Sequence, residues 1–189
     1  MVPIMFQRLL GLPDAVRERA DVQSLKHLYH GAAPCPESVK RAMIDWVGPI
    51  LDEYYAGSEG GAGFAISSEE WLAKPGSVGR VPFADAIKIL SEDGNPAPPG
   101  TDGEIFHRAD PNAPFEYFKS PEKTAGKIRD GYFTLGDIGH VDADGYLFLT
   151  GRSAECIISG GVNIYPTEID KVISQDPLVA DVCVVGAPN

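Results

Sequence analysis

Asp137 and Arg152 are the residues of this chain whose surroundings point most directly to chemistry. Asp137 sits in a Gly136-Asp137 turn inside GYFTLGD, and Arg152 follows Gly151 on the far side of a hairpin turn. A carboxylate can accept both hydroxyls of a ribose, and a guanidinium can fork onto ribose or phosphate oxygens. The same stretch, Gly131 to Asp170, runs on into Ser159-Gly160-Gly161 and then Pro166 and Glu168. Each of these pieces has a use if the ligand is a nucleotide.

Two further segments carry candidate groups. Tyr55-Ala56-Gly57-Ser58-Glu59 reads, taken alone, as a strand ending in a Gly-rich turn, which is weak evidence for phosphate. Gly31-Ala32-Ala33-Pro34 reads alone as a strand-to-helix turn, whose small residues let backbone approach a flat base closely. Asp142-Ala143-Asp144-Gly145 has a calcium-loop look but lacks the third ligand position and the distal Glu of an EF-hand, so it reads as a hairpin turn, as does Ser91 to Gly94. The four histidines (His27, His30, His107, His140) show no ligand spacing and read as surface or core positions without a catalytic role.

The elements that must position these groups fall into three regions. From 1 to 77 the pattern is α/β: the apolar positions Val39, Met43 and Val47 predict a helix starting near Pro36, flanked by strands over 25–29 and 50–55. From 78 to 150, short β runs (AIKIL, EIFHR, YLFLT) alternate with turn chemistry, which predicts a small antiparallel barrel or sheet. From 151 to 189 a new lobe starts, with a strand at 156–158, a helix at 166–174 and a last strand at 182–185. That last strand is apolar throughout and the sequence ends four residues later; together with an abrupt beginning, this leads us to expect an internal fragment.

Composition narrows the partners. A net charge of -11 argues against a nucleic-acid binder, so an anionic ligand must be held by local groups. Three widely spaced cysteines (Cys35, Cys156, Cys183) indicate neither a disulfide framework nor a zinc site and suit a reducing cytoplasm. No apolar run reaches the length of a membrane span and no signal peptide opens the chain, so the expectation is a soluble protein.

Four segments in order resemble the adenylate-forming acyl-CoA synthetases. VPIMFQRLLGLP looks like that family's acyl-pocket helix, HGAAPCPESVKRAMIDW like the loop against adenine and its following helix, EYYAGSEG like the Tyr-Gly-x-Thr-Glu motif, and GYFTLGD like Tyr-x-x-Thr-Gly-Asp. The resemblance implies part of a large N-terminal domain, an α/β subdomain and a small β-barrel, followed by the start of a small C-terminal α+β lobe. It implies a two-step ligase: a carboxylic acid, most simply a fatty acid, reacts with ATP to give acyl-AMP and pyrophosphate, and coenzyme A then takes the acyl group.

The same resemblance assigns roles. Tyr55 stacks on adenine and Gly31, Ala32, Ala33 and Pro34 form the other wall; Ser58 donates to the α-phosphate and Glu59 holds Mg2+; Asp137 and Arg152 take the ribose. Ser159, Gly160 and Gly161 line the path of the pantetheine arm, and the hinge falls near Ala154, where the family often has Asp or Lys, with Glu155 adjacent. Ser58 stands where Thr is usual and Ala56 where Gly is usual. The family's upstream phosphate loop and downstream catalytic Lys are not found in the sequence, so the isolated chain is expected to be inactive. Two other readings stay open: a non-catalytic nucleotide or acyl-adenylate-binding module, and an aryl- or amino-acid-activating enzyme.

Overall fold

A computed structural model describes residues 1–176, 178–179 and 181–187 of the chain. Helix α1 (Pro3–Leu10) opens on proline, whose missing N–H costs nothing at that position, and closes where the Gly11 N–H donates to Gln7 O. A single helical turn, α2 (Asp14–Arg17), follows. Strand β1 (Leu28–Gly31) then leads through the Ala32–Pro36 loop into α3 (Glu37–Val47), which ends at Gly48 with φ 86°. The buried face of α3 is Lys40, Met43 and Ile44, the i, i+3, i+4 stripe of a helix packed on one side, and Val39 and Val47 flank it.

Strand β2 (Leu51–Gly57) pairs parallel with β1, Leu28 opposite Leu51 and Gly31 opposite Tyr54, so α3 is the crossover that parallel strands require. Strand β3 (Gly60–Ile66) returns antiparallel to β2. Helix α4 (Ser68–Ala73) is started by a capping box between Ser67 and Glu70, and its Ser68 hydroxyl bonds both the N–H and the carbonyl of Leu51. Phe6, Met43, Ile44, Leu51, Ile66 and Trp71 close the first core, each large side chain contributing about 1.5–3 kcal/mol by leaving water.

The second sheet is antiparallel. Its strands are β4 (Ser77–Arg80), β5 (Ile87–Leu90), β6 (Gly103–Arg108), β7 (Ile128–Arg129, after helix α5, Pro121–Lys127), β8 (Tyr132–Val141) and β9 (Tyr146–Arg152). They lie in the order β4-β9-β8-β6-β5, with β7 on β8. Phe64 of β3 packs with Val78, Ile105 and Leu147, so the second core begins on the first sheet. The β8–β9 turn closes as a hairpin: Asp142 Oδ1 accepts the N–H groups of Asp144 and Tyr146, and Lys74 Nζ donates to Asp142 Oδ2 (2.8 Å) and to Asp144. Ser91 to Gly94 is likewise a turn, with the Gly94 N–H on Ser91 O.

After a short 3-10 turn (Ser153–Glu155), β10 (Ile157–Ser159) and β11 (Val162–Ile164) form a separate hairpin, and α6 (Pro166–Ile173) follows. Gly160 (φ 59°) and Gly161 (φ 81°) supply the two positive φ values a two-residue turn of this twist needs. This segment is tied to the rest at its surface: Lys171 Nζ pairs with Glu37 Oε1 at 2.5 Å, Asn163 Nδ2 donates to Glu92, and Pro166 is the buried residue of α6.

Three expectations are corrected. The first strand begins at Leu28, three residues late, because its register is fixed by Leu51 to Tyr54 while Leu25 is in a turn and exposed. The Gly136-Asp137 step is not a turn but lies within β8, which pairs with β6 and β9 on either side and is kinked at Gly136 (φ 83°). The segment 182–185 is not a strand; the Val184 N–H donates to Asp170 Oδ1, and apolar composition does not make a ladder without a partner. No described helix is long and apolar enough to cross a membrane.

Candidate active site

The site draws on the ends of β2, β6 and β9 and on the middle of β8. Strands β8 and β9 place Asp137 directly opposite Arg152, and Arg152 Nε lies 3.1 Å from Asp137 Oδ1. The kink of β8 at Gly136, just before Asp137, is braced by Thr134, whose hydroxyl accepts the Gly136 N–H at 2.9 Å and donates to Glu104 of β6 at 2.7 Å. Asp137 is 5% exposed while the Arg152 side chain is 61% exposed, so the carboxylate is held and its partner faces outward.

The second oxygen of Asp137 accepts the Tyr55 hydroxyl at 2.6 Å, and His107 Nε2 lies 3.2 Å from that hydroxyl. Burial, then the hydrogen bond and charge of Asp137, hold the Tyr55 hydroxyl far above its ordinary pKa, so it stays a neutral donor. Burial lowers His107, against the pull of Asp137. A hydroxyl has one proton, and Tyr55 gives it to Asp137; a bond between Tyr55 and His107 therefore runs from the neutral ring's Nε2–H, which leaves His107 Nδ1 buried without a partner.

An aromatic row carries this arrangement to the next loop. His107 stacks on Phe133 (centroids 5.6 Å), Phe115 meets Phe133 edge-on (5.0 Å) and Tyr117 meets Phe115 (5.5 Å). The Tyr117 hydroxyl then donates to Glu59 Oε1 at 2.7 Å, a bond that raises the Tyr117 pKa. Gly57 lies against the Leu135 side chain, so the Tyr55–Glu59 turn packs on β8 two residues before Asp137.

The structure thus brings Tyr55, Asp137 and Arg152 into one bonded set, with Glu59 joined through the aromatic row. Ser58 is exposed at the β2–β3 turn. Gly31 stands opposite Tyr54, and a Cβ there would fall 2.5 Å from Tyr54 O, so only glycine lets β1 and β2 close; Ala32 follows with φ 65° where the chain leaves β1 for the exposed Ala33-Pro34. Ser159, Gly160 and Gly161 are not part of this set; they are exposed at the β10–β11 turn. His107, read as a surface or core position, is buried beside Tyr55, and Tyr117 was not singled out in the sequence.

Glu59 is a single carboxylate, and among the described residues no group of three or more His, Cys, Asp or Glu side chains forms a metal cage. That donor set fits Mg2+, which keeps its waters and takes one or two carboxylates together with substrate phosphates. Tyr117 occupies Oε1 of Glu59, leaving Oε2 for such a cation.

A family model described as AMP-binding enzyme matches residues 1–114. The chain belongs to the AMP-binding enzymes. Relatives of this AMP-binding chain include an indoleacetate--CoA ligase of Aromatoleum aromaticum, 33% identical over 98% of this chain and 36% of the relative, and a medium/long-chain-fatty-acid--CoA ligase of Mycobacterium tuberculosis, 34% identical over 100% of this chain and 33% of the relative. Among solved structures, an amide bond synthetase from Marinactinospora thermotolerans superposes with a TM-score of 0.86 at 30% identity, over 100% of this chain and 39% of that one. The chain therefore spans about a third of the length of these relatives. Its mixed α/β and β architecture is that of part of an adenylate-forming enzyme, and its relatives are CoA ligases acting on varied acids.

Proposed function

We propose that the chain is the adenosine-binding part of an ATP-dependent acid–thiol ligase, which activates a carboxylic acid as acyl-AMP and passes it to coenzyme A. The observation that carries this reading is the buried Asp137 carboxylate, whose oxygens are oriented by Tyr55 and Arg152 at the mouth of two antiparallel strands. Each carboxylate oxygen retains a second lone-pair site, which is where the two ribose hydroxyls bind. Arg152 then contacts the sugar from the solvent side. The aromatic body of Tyr55 and the Gly31–Pro34 loop form the two walls for adenine, and Ser58 meets the α-phosphate.

Glu59 is the residue that would hold Mg2+, which when bound neutralises phosphate charge. Ser159, Gly160 and Gly161 bind the pantetheine arm in the orientation of the last segment used for thioester formation. The three regions 1–77, 78–150 and 151–189 serve as partial adenylation subdomain, barrel-like subdomain, and hinge with the start of a further lobe. For the acid we favour a fatty acyl chain, supported by the apolar Ile4 and Met5 that α1 leaves exposed. The free cysteines support a reducing, cytoplasmic setting.

The test is AMP binding to the 189-residue chain by titration calorimetry, with Asp137→Ala beside it. Removing the charged acceptor costs about 2 kcal/mol, so affinity should fall more than about tenfold. Equal affinity in a folded Asp137→Ala protein would overturn the reading.

A further inference from the structure

The first core contains a cluster of ionisable groups that the proposed chemistry does not use. Lys40 and His30 are fully buried and Glu53 is 9% exposed. Lys40 Nζ donates to Glu53 Oε2 at 2.5 Å, and His30 Nε2 stands 3.6 Å from the same oxygen. The Lys40 ammonium also lies 4.8 Å over the Trp71 ring, and His30 meets Phe6 edge-on. Neither ring nitrogen of His30 has a hydrogen-bond partner.

Stability alone does not account for these groups. Burying an ion pair costs about as much in lost hydration as the pair regains, and apolar side chains of similar volume generally do as well or better. The surrounding core is apolar, with Phe6, Met43, Leu51 and Trp71 in it. Placement suggests another use. His30 is the residue before Gly31 and pairs across the sheet with Glu53; Lys40 is on the first turns of α3; Glu53 is two residues before Tyr55. Beyond the Gly31–Pro36 loop Lys40 is thus bonded to Glu53, and before it His30 is set beside the same carboxylate by strand register, on the strand that carries Tyr55.

We propose that Glu53, gripping Lys40 on one side of the Gly31–Pro36 loop and facing His30 on the other, is a positioning residue that fixes the separation between that loop and Tyr55. This rests on the reading that adenine lies between those two walls. An apolar replacement of the pair keeps the core filled but lets the loop and the strand shift independently, since dispersion is not directional and a salt bridge is.

The experiment uses Lys40→Met/Glu53→Leu, with Glu53→Gln as a second variant that preserves volume. The double variant should keep its thermal midpoint within about 3 °C of wild type. Amide hydrogen exchange at Gly31 and Lys40, whose N–H groups donate to Met1 O and Pro36 O at the two ends of the loop, should nonetheless speed up about tenfold or more, with β6 and β8 unchanged. AMP affinity should drop about tenfold. Wild-type exchange at those amides, in either folded variant, would overturn the proposal, and so would faster exchange with undiminished AMP affinity. If the wild-type chain itself fails to bind AMP, the nucleotide reading falls, and the exchange measurement still decides whether Glu53 clamps the loop.

Discussion

Tyr55 and Asp137 are 82 residues apart in sequence and share a 2.6 Å hydrogen bond, in which the tyrosine hydroxyl donates to the carboxylate. The same hydroxyl lies 3.2 Å from His107 Nε2. Tyr55→Phe therefore leaves a buried imidazole N–H unpaired, which costs about 1–3 kcal/mol. Urea unfolding should show that loss, while AMP affinity falls less than in Asp137→Ala because the ring remains. If Tyr55→Phe is as damaging to AMP binding as Asp137→Ala, the hydroxyl has a direct ligand role.

Glu59→Gln removes a charge and little volume, and the amide carbonyl can still accept the Tyr117 hydroxyl that now meets Oε1. Circular dichroism should show an intact fold. In the complete enzyme, Mg2+-dependent pyrophosphate exchange should drop at least about tenfold, the loss of a charged ligand being worth well over 1.4 kcal/mol. Exchange at the wild-type rate would remove Glu59 from the metal site.

Acid should weaken the fold through its buried imidazoles. His30 is pushed down from 6.5 to about 3, by burial first and then by the charge of Lys40, and His107 is lowered by burial. Below about pH 6.5 the unfolded chain takes up protons on these rings that the folded chain refuses, so the unfolded state is favoured as pH falls through that window toward 3. Above it the contribution is complete. Urea midpoints measured between about pH 7 and 4.5 should decline, and His30→Gln should flatten the decline. Parallel curves would mean that His30 is protonated in the folded protein.

The two half-reactions should separate at the last hairpin. The Gly160-Gly161 turn is exposed and a Cβ built on either glycine meets nothing within 4 Å, so Gly161→Trp finds room at its first side-chain atom and is strained by the positive φ. In the complete enzyme, acyl-AMP formation measured by pyrophosphate release should persist and acyl-CoA formation measured by thiol consumption should fall. Ala154→Pro, in the 3-10 turn after Arg152, should give the same split by restricting backbone rotation. Equal loss of both activities, without unfolding, would make this turn purely structural.

What the sequence made legible was local. Pro36 and Gly48 bound α3 and Asp142 to Gly145 makes its own hairpin, whereas the turn expected at Gly136-Asp137 is a kink inside strand β8. The partners were not legible, because they are set by which strands become neighbours. His107 reaches Tyr55 across 52 positions and Tyr117 reaches Glu59 across 58, with no spacing rule to announce either. The apolar positions alone announce the helix, and the burial of Lys40 has no sequence signal because it depends on Glu53 of the neighbouring parallel strand. The strand expected at 182–185 failed for the converse reason, since composition supplied the propensity and the fold supplied no neighbour.

The segment beyond Arg152 is fastened near its surface by Lys171 on the half-buried Glu37 and by Asn163 on Glu92, beside the buried Pro166. An exposed ion pair contributes about 0–1 kcal/mol, comparable to thermal energy, and added salt weakens it. Ionic strength thereby acts unevenly on this protein: added salt loosens the Lys171–Glu37 pair on α6 and leaves the Tyr55 hydrogen bond to the buried Asp137 as it was.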